Sequence, residues 1–284
     1  MRILALETTG RYGSAAVITG GDDRFVLSCR SSHSEMNHLL DIISLIDGAL
    51  TDAGLGIEEI DAVAASIGPG SFTGIRIGVS TARALSQSLG IKCIPVRTLR
   101  ALAERDPLNL RTKRVAAGLS LGIQPFEFAP HYICTAINAR RDQTYAALWY
   151  LDGDCILTEI LSQKQYMIEN LLEMIAANIT NNGGAKLVFY GDGVDAYEDK
   201  IKGFLDGNPG IDYRFASEES RYQCADAVAN VALSYIESGK DPIRYADLLP
   251  DYMRKTEAEM RLEEGTLSRK CTETMTMTEE KGKI

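Results

Sequence analysis

The first hundred residues alternate short apolar runs with longer stretches of 3-and-4 spacing. Ile3-Leu4-Ala5-Leu6, closed by Glu7, predicts a strand over Arg2–Glu7, and a Thr-Thr-Gly turn leads into a second strand over Gly13–Thr19. Gly20-Gly21-Asp22-Asp23 tolerates positive φ and reads as a hairpin before a third strand, Arg24–Cys29. From about Ser34 to Thr51 the residues Met36, Leu39, Leu40, Ile43, Ile46 and Leu50 recur at helical spacing, and Gly54-Leu55-Gly56 ends that helix. A strand over Ala62–Ile67, a helix over Gly74–Leu89 closed by Gly90, a strand over Lys92–Pro95 and a short helix over Thr98–Arg105 follow. The order is β-β-β-α-β-α-β-α.

Between Asp106 and Pro130 the pattern lapses. Asp106-Pro107, isolated basic residues, Gly118, Gly122, Pro125 and Pro130 read as a linker or long loop. Strands then resume over Tyr132–Asn138 and Gln143–Tyr150, and an Asp152-Gly153 turn leads to a third over Cys155–Ile160. A helix over Lys164–Ile179, a strand over Lys186–Tyr190 and a Gly191-Asp192-Gly193 turn come next. A helix over Ala196–Leu205, a strand over Tyr213–Ala216 and a helix over Ala225–Glu237, ended by Gly239, complete the pattern. Three strands followed by alternating helices and strands thus occur twice.

A three-stranded antiparallel start that feeds β-α units is the pattern of a ribonuclease-H-like mixed sheet. Two in tandem predict an α/β, two-lobed, actin-like (ASKHA) architecture of mixed sheets flanked by helices. The lobes are expected over 1–105 and 131–253, joined by 106–130, with the last helix, 225–237, available to pack back on the N-terminal lobe. Residues 254–284 are rich in Lys, Glu and Thr and poor in large apolar side chains, the composition of a flexible tail.

Charge and cysteine usage narrow the classes. The chain has 284 residues, with 30 Lys and Arg against 39 Asp and Glu, a net charge of −9. That balance argues against a protein that grips nucleic acid by itself, because phosphate neutralisation supplies much of such affinity. Glu7 interrupts the N-terminus before a signal-like apolar region forms, and no apolar run approaches the ~18 residues of a membrane span. Six cysteines stand in no C-x-x-C or zinc-ligand spacing, which fits reduced thiols and a cytoplasmic protein.

One motif is sharp: Gly68-Pro69-Gly70-Ser71-Phe72-Thr73-Gly74-Ile75-Arg76-Ile77-Gly78, where a strand runs through a glycine turn into a helix. Glycines beside a helix N-terminus can cradle a phosphate, but the spacing is one residue longer than the dinucleotide fingerprint and no P-loop Lys follows. Alternatively, Gly74, Gly78, Ala82 and Ser86 lie four apart and form a small-residue stripe for close docking, within the lobe or between chains. Arg76, Ser80, Arg83 and Gln87 form a polar stripe beside it, and the first helix carries a second apolar set, Ile42, Leu45 and Ala49. This surplus of apolar and small surface suggests a helical interface, with plain core packing as the other reading.

At this motif the sequence resembles the bacterial TsaB (YeaZ) family. The resemblance extends to Ile3-Leu4-Ala5-Leu6-Glu7-Thr8-Thr9, to Ser32-His33-Ser34-Glu35, to Asn138-Ala139-Arg140-Arg141-Asp142-Gln143-Thr144-Tyr145 and to Leu249-Pro250-Asp251-Tyr252-Met253-Arg254. It implies a non-catalytic subunit for making threonylcarbamoyladenosine, the modified adenosine beside the tRNA anticodon. The implied partners are the transferase TsaD and the ATPase TsaE, or a second copy in a homodimer, and tRNA is met only through the complex. The resemblance implies that the first two helices meet TsaD, through Met36, Leu39, Leu40, Ile43, Ile46, Ile75, Arg76, Gly78, Val79, Ala82 and Arg83. It also implies a vestigial nucleotide site at Glu7, Thr8, Thr9, Gly68, Gly70, Ser71, Asn138, Gly191 and Gly193. No catalytic residue, metal or cofactor is expected on the chain itself, and ATP and metal are expected on TsaD.

Two departures support the loss of catalysis. Where the catalytic relative carries a His-x-x-x-His pair, this chain reads Pro95-Val96-Arg97-Thr98-Leu99-Arg100-Ala101, and His33 and His38 diverge by roughly 140° on a helix. Glu7 and Asn138 stand where actin-like nucleotide sites carry aspartates, which weakens a Mg-nucleotide site. The contrasting reading is an active actin-like ATPase or small-molecule kinase.

Overall fold

The computed structural model describes residues 1–21, 25–32, 38–106, 130–154, 156–180 and 186–253. The proposed linker 106–130 thus lies outside them except for its two end residues, and the tail 254–284 lies outside them entirely.

Strands β1 (Arg2–Glu7), β2 (Ser14–Thr19) and β3 (Phe25–Ser31) form an antiparallel meander, and β4 (Ala62–Gly68) and β5 (Lys92–Arg97) add in parallel. The sheet order is β3-β2-β1-β4-β5. The second sheet repeats the plan with β6 (His131–Arg140), β7 (Gln143–Leu151), β8 (Leu157–Met167), β9 (Lys186–Tyr190) and β10 (Asp212–Phe215). Its order, β8-β7-β6-β9-β10, is the same antiparallel trio with two parallel strands appended. The duplication inferred from element order is therefore a duplication of topology, and the molecule has the two-lobed actin-like fold.

The α-helices among the described residues are α1 (His38–Ala53), α2 (Phe72–Leu89), α3 (Thr98–Ala103), α4 (Ile168–Thr180), α5 (Gly193–Asp206), α6 (Glu218–Arg221) and α7 (Ala225–Glu237). The apolar run of β1 is covered on both faces. Leu4 and Leu6 pack with Val17, Ile42, Ile46, Val63, Ile75 and Val79 under α1 and α2. Ile3 and Ala5 pack with Ile18, Ala64, Val228, Val231 and Ala232 under α7. Double coverage explains a continuous rather than alternating apolar pattern. Each such Leu or Ile contributes about 1.5–3 kcal/mol by burial. The last α-helix among the described residues thus completes the first lobe. In the second lobe Leu148, Leu171, Ile175, Phe189 and Ile201 make the core against α4 and α5. The short α3 touches both sheets, with Leu99 and Leu102 fully buried.

The helix expected over Lys164–Ile179 starts later, at Ile168, because Lys164 to Met167 pair with Ala146 to Gln143 and extend β8. The strand expected from Cys155 begins at Leu157, and Cys155 itself lies outside the described residues. The first helix begins at His38, while residues 33–37 of its expected span lie outside the description.

Candidate functional site

The Gly68-Pro69-Gly70 turn links β4 to α2. Ser71 caps the helix, its Oγ accepting from the Gly74 N–H at 3.2 Å. Gly68 and Gly70 have φ of +123° and +154°, a region that L side chains avoid. A Cβ on Gly68 would stand 2.5 Å from the Asp251 carbonyl oxygen, and one on Gly70 2.5 Å from that of Thr9. Both approaches are backbone hydrogen-bonded: Ser71 N donates to Thr9 O and Asp251 N to Ile67 O, each at 2.8 Å. The glycines of the motif therefore admit two segments of the chain's own backbone. Arg97 Nε, 3.2 Å from Asp251 Oδ2, helps to hold the returning segment.

Glu7 ends β1, fully buried. Its Oε1 accepts from Thr9 N at 2.5 Å and from Thr9 Oγ1 at 2.6 Å, while its Oε2 accepts from Ser66 Oγ. Both carboxylate oxygens thus tie β1 to β4 and to the following turn. Thr8 turns the other way, its Oγ1 donating to Gly74 O at 2.7 Å.

Thr9, Gly70 and Ser71 face Asn138, Ala139, Arg140, Tyr145 and Asp192 across an open cleft of about 680 Å³ between the lobes. The structure brings these members of the expected nucleotide site together. Others are turned to internal tasks: Glu7 and Thr8 serve as just described, and Gly68 meets Asp251. Gly191 and Gly193 pack against β6, where a Cβ would stand 2.0 Å from Ala136 O and 2.8 Å from Ala136 C respectively. These two glycines let the loop close on the strand. Asn138 Oδ1 accepts from Arg140 N at 2.8 Å and from Tyr197 OH at 3.2 Å, and its own N–H donates to Asp192 Oδ1 at 3.2 Å.

Sequence reasoning missed most of the cleft lining, including the polar side chains of Arg11, Arg140, Tyr145, Asp192 and Asp195. Burial raises the Asp192 carboxyl from its ordinary range to about 6, opposed by the hydrogen bond from the Asn138 N–H and, less, by Arg11. Arg140, Arg141 and Asp142 all have φ between 53° and 61°, a run of left-handed non-glycine residues at the β6–β7 turn. Such strain is held by surrounding contacts, here including Lys200 Nζ at 2.8 Å from Asp142 Oδ1. The pairing of Arg140 with Arg141 beside Asn138 was the available signal for this corner.

Residues 32–262 match the family model described as TsaD: tRNA N6-adenosine threonylcarbamoyltransferase. The tRNA threonylcarbamoyladenosine biosynthesis protein TsaB of Bacillus subtilis is 25% identical over 260 residues, 91% of this chain and 96% of that protein. The chain belongs to this family, on its TsaB (YeaZ) branch. TsaB of Haemophilus influenzae is 33% identical over 104 residues, 37% of this chain, so that match spans only 42% of the relative. The solved structure of YeaZ from Pseudomonas aeruginosa superposes with a TM-score of 0.61 at 21% identity, covering 88% of this chain and 99% of that one.

In this TsaB-branch chain the expected partner face is smaller than the sequence suggested. Ile46, Ile75, Val79 and Ala82 are buried in the core of their own lobe. Gly78 faces inward, where a Cβ would stand 2.4 Å from Thr8 Oγ1. The small-residue stripe of α2 is therefore the seat of the helix on β1, not an outward surface. Met36 lies outside the described residues, and for Leu39 and Leu40 only the helical backbone is described. What faces outward is Ile43, 63% exposed, with Phe72, Arg76 and the half-buried Arg83. The Arg76 guanidinium lies 3.9 Å over the Phe72 ring, which leaves an exposed apolar-cationic patch at the head of α2. No helix among the described residues is long and apolar enough to cross a membrane.

Proposed function

We propose that this chain is the non-catalytic subunit that binds and activates a TsaD-type threonylcarbamoyltransferase during tRNA threonylcarbamoyladenosine biosynthesis in the cytoplasm. The observation that carries the reading is the state of Glu7. In a family named for a transferase, the carboxylate beside this motif is buried and both its oxygens accept hydrogen bonds from Thr9 and Ser66. Asn138, opposite, is likewise engaged with Arg140, Tyr197 and Asp192. On this reading ATP and metal belong to TsaD, TsaE joins the same assembly, and tRNA reaches the chain only through its partners. The net charge of −9 accords with that indirect role. The exposed faces of α1 and α2 supply the contact, with Ile43 and Phe72 as apolar anchors.

Light scattering after mixing the purified chain with its TsaD tests this. A heterodimer at micromolar concentration is expected, and two separate species would sink the proposal. A second reading, an actin-like ATPase or kinase, is favoured by the cleft between the lobes. Heat on calorimetric titration with Mg-ATP, in the absence of TsaD, would support it instead.

A further inference from the structure

The tertiary fold brings together two thiols that are 195 residues apart in the chain. Cys29, on the edge strand β3, and Cys224, the N-cap residue of α7, have their Sγ atoms 3.6 Å apart. Both are free, and Cys29 is exposed. The other two cysteines of the described residues, Cys93 and Cys134, are buried. Cys224 also lines a pocket of about 400 Å³ with Tyr12 and Arg105, which gives a small molecule a way in.

We propose that Cys29 and Cys224 form a redox-modifiable dithiol, which a peroxide converts into a disulfide tying β3 to the head of α7. The surroundings suit the chemistry. A hydrogen bond from Cys29 holds the Cys224 thiol below its ordinary value, assisted by the Arg105 guanidinium and opposed by burial and Asp226. Arg105 is fixed for that task by Asp226, whose two oxygens accept from its Nη1 at 2.9 and 2.7 Å. A sulfur at a helix N-terminus beside an Arg is the setting that favours thiolate.

The reaction balances with peroxide as the only co-reactant. The Cys224 thiolate attacks one peroxide oxygen; an S–O bond forms, the O–O bond breaks, and the hydroxide released takes up a proton as water. The Cys29 sulfur then attacks the sulfenic sulfur; the S–S bond forms, the S–O bond breaks, and the leaving hydroxide takes the Cys29 proton as a second water. The two thiols lose two electrons and the peroxide is reduced to water. An S–S bond of about 2.05 Å requires the sulfurs, now 3.6 Å apart, to close by roughly 1.5 Å. The bridge would pin the segment by which the chain returns from the second lobe to the first. That segment already holds the second lobe through Gly191 N donating to Arg221 O at 2.7 Å.

The test is to treat the full chain with hydrogen peroxide near stoichiometry, alkylate the remaining thiols, and map peptides by mass spectrometry. A Cys29–Cys224 cross-link is expected, with the loss of two hydrogens from the intact mass, reversed by a dithiol reductant. The same two-hydrogen loss must vanish in both C29S and C224S. If both cysteines remain alkylatable while oxidation falls elsewhere, the proposal is overturned. It is overturned equally if Cys224 advances to sulfinic acid without a bridge, or if the mass loss persists in either variant.

Discussion

Gly78 sets how closely α2 can lie against the end of β1, and Gly74 does the same one turn earlier. A Cβ at Gly78 would meet Thr8 Oγ1 at 2.4 Å, and one at Gly74 would meet Thr8 O at 1.9 Å. The Thr8 hydroxyl fills the notch and donates to Gly74 O at 2.7 Å, so neither group can withdraw without breaking a buried hydrogen bond. Gly78→Leu must therefore push the helix off the sheet. Overpacking of this kind costs about 1–3 kcal/mol, with a lost buried hydrogen bond adding to it. Calorimetry should show Tm lowered by roughly 4–12 °C, at 2–4 °C per kcal/mol for a chain of this size. A variant with unchanged Tm that no longer pairs with TsaD would return Gly78 to the interface and overturn the internal assignment.

At the scale of elements, the strands and helices whose apolar pattern is dictated by their own lobe were legible, and those decided by a neighbour were not. β1, β9 and α7 match their expected bounds because each is an apolar run closed by a polar residue or a glycine. The end of β8 departs from the helix expected there because the polar run Gln163-Lys164-Gln165 before Tyr166 says little locally; its long partner β7 decides the state through Thr144↔Tyr166 and Gln143↔Met167. The α2 stripe was legible as a docking surface, but periodicity cannot say whether the docked surface is internal. The glycines of the Gly-Pro-Gly turn were equally visible, whereas their reason, the return of Asp251, lies far away in sequence. The outward faces of α1 and α2 are what remains for a partner, and Ile43 is their most exposed apolar side chain among the described residues. Ile43→Asp should weaken TsaD binding at least ~30-fold, since a desolvated charge at an apolar contact costs about 2 kcal/mol or more. Because Ile43 is 63% exposed in the free chain, Tm should stay within the change expected of a surface substitution, about 0.5 kcal/mol. Equal TsaD affinity for the two proteins would move the interface off α1.

The two lobes are tied together by more than one crossing of the chain. α3 lies between the sheets, α7 returns to the first lobe, and Arg105 joins the end of α3 to Asp226 on α7. The cleft between the lobes remains open, and its charge is a property of the whole molecule, because Arg11 of the first lobe faces Asp192 of the second. Burial raises Asp192 to about 6 from an ordinary 3.8. The sign follows from proton binding: between pH 4 and 6 the folded chain holds a proton at this site that the unfolded chain has released. Folding stability from this group is therefore highest at acid pH, declines as pH rises through that window, and is flat above it. Asp192→Asn keeps an acceptor for the Asn138 N–H and removes the ionisation, so its stability should not decline there. With the cleft open to water, the variant should gain about 1–2 kcal/mol over the native chain at pH 7, and nothing at pH 4. Urea unfolding of both proteins at pH 4, 5, 6 and 7 measures the difference directly. Curves that run parallel across that range would mean that the carboxyl is ionised in the fold as freely as in water, and that Arg11 or solvent, rather than burial, governs the cleft.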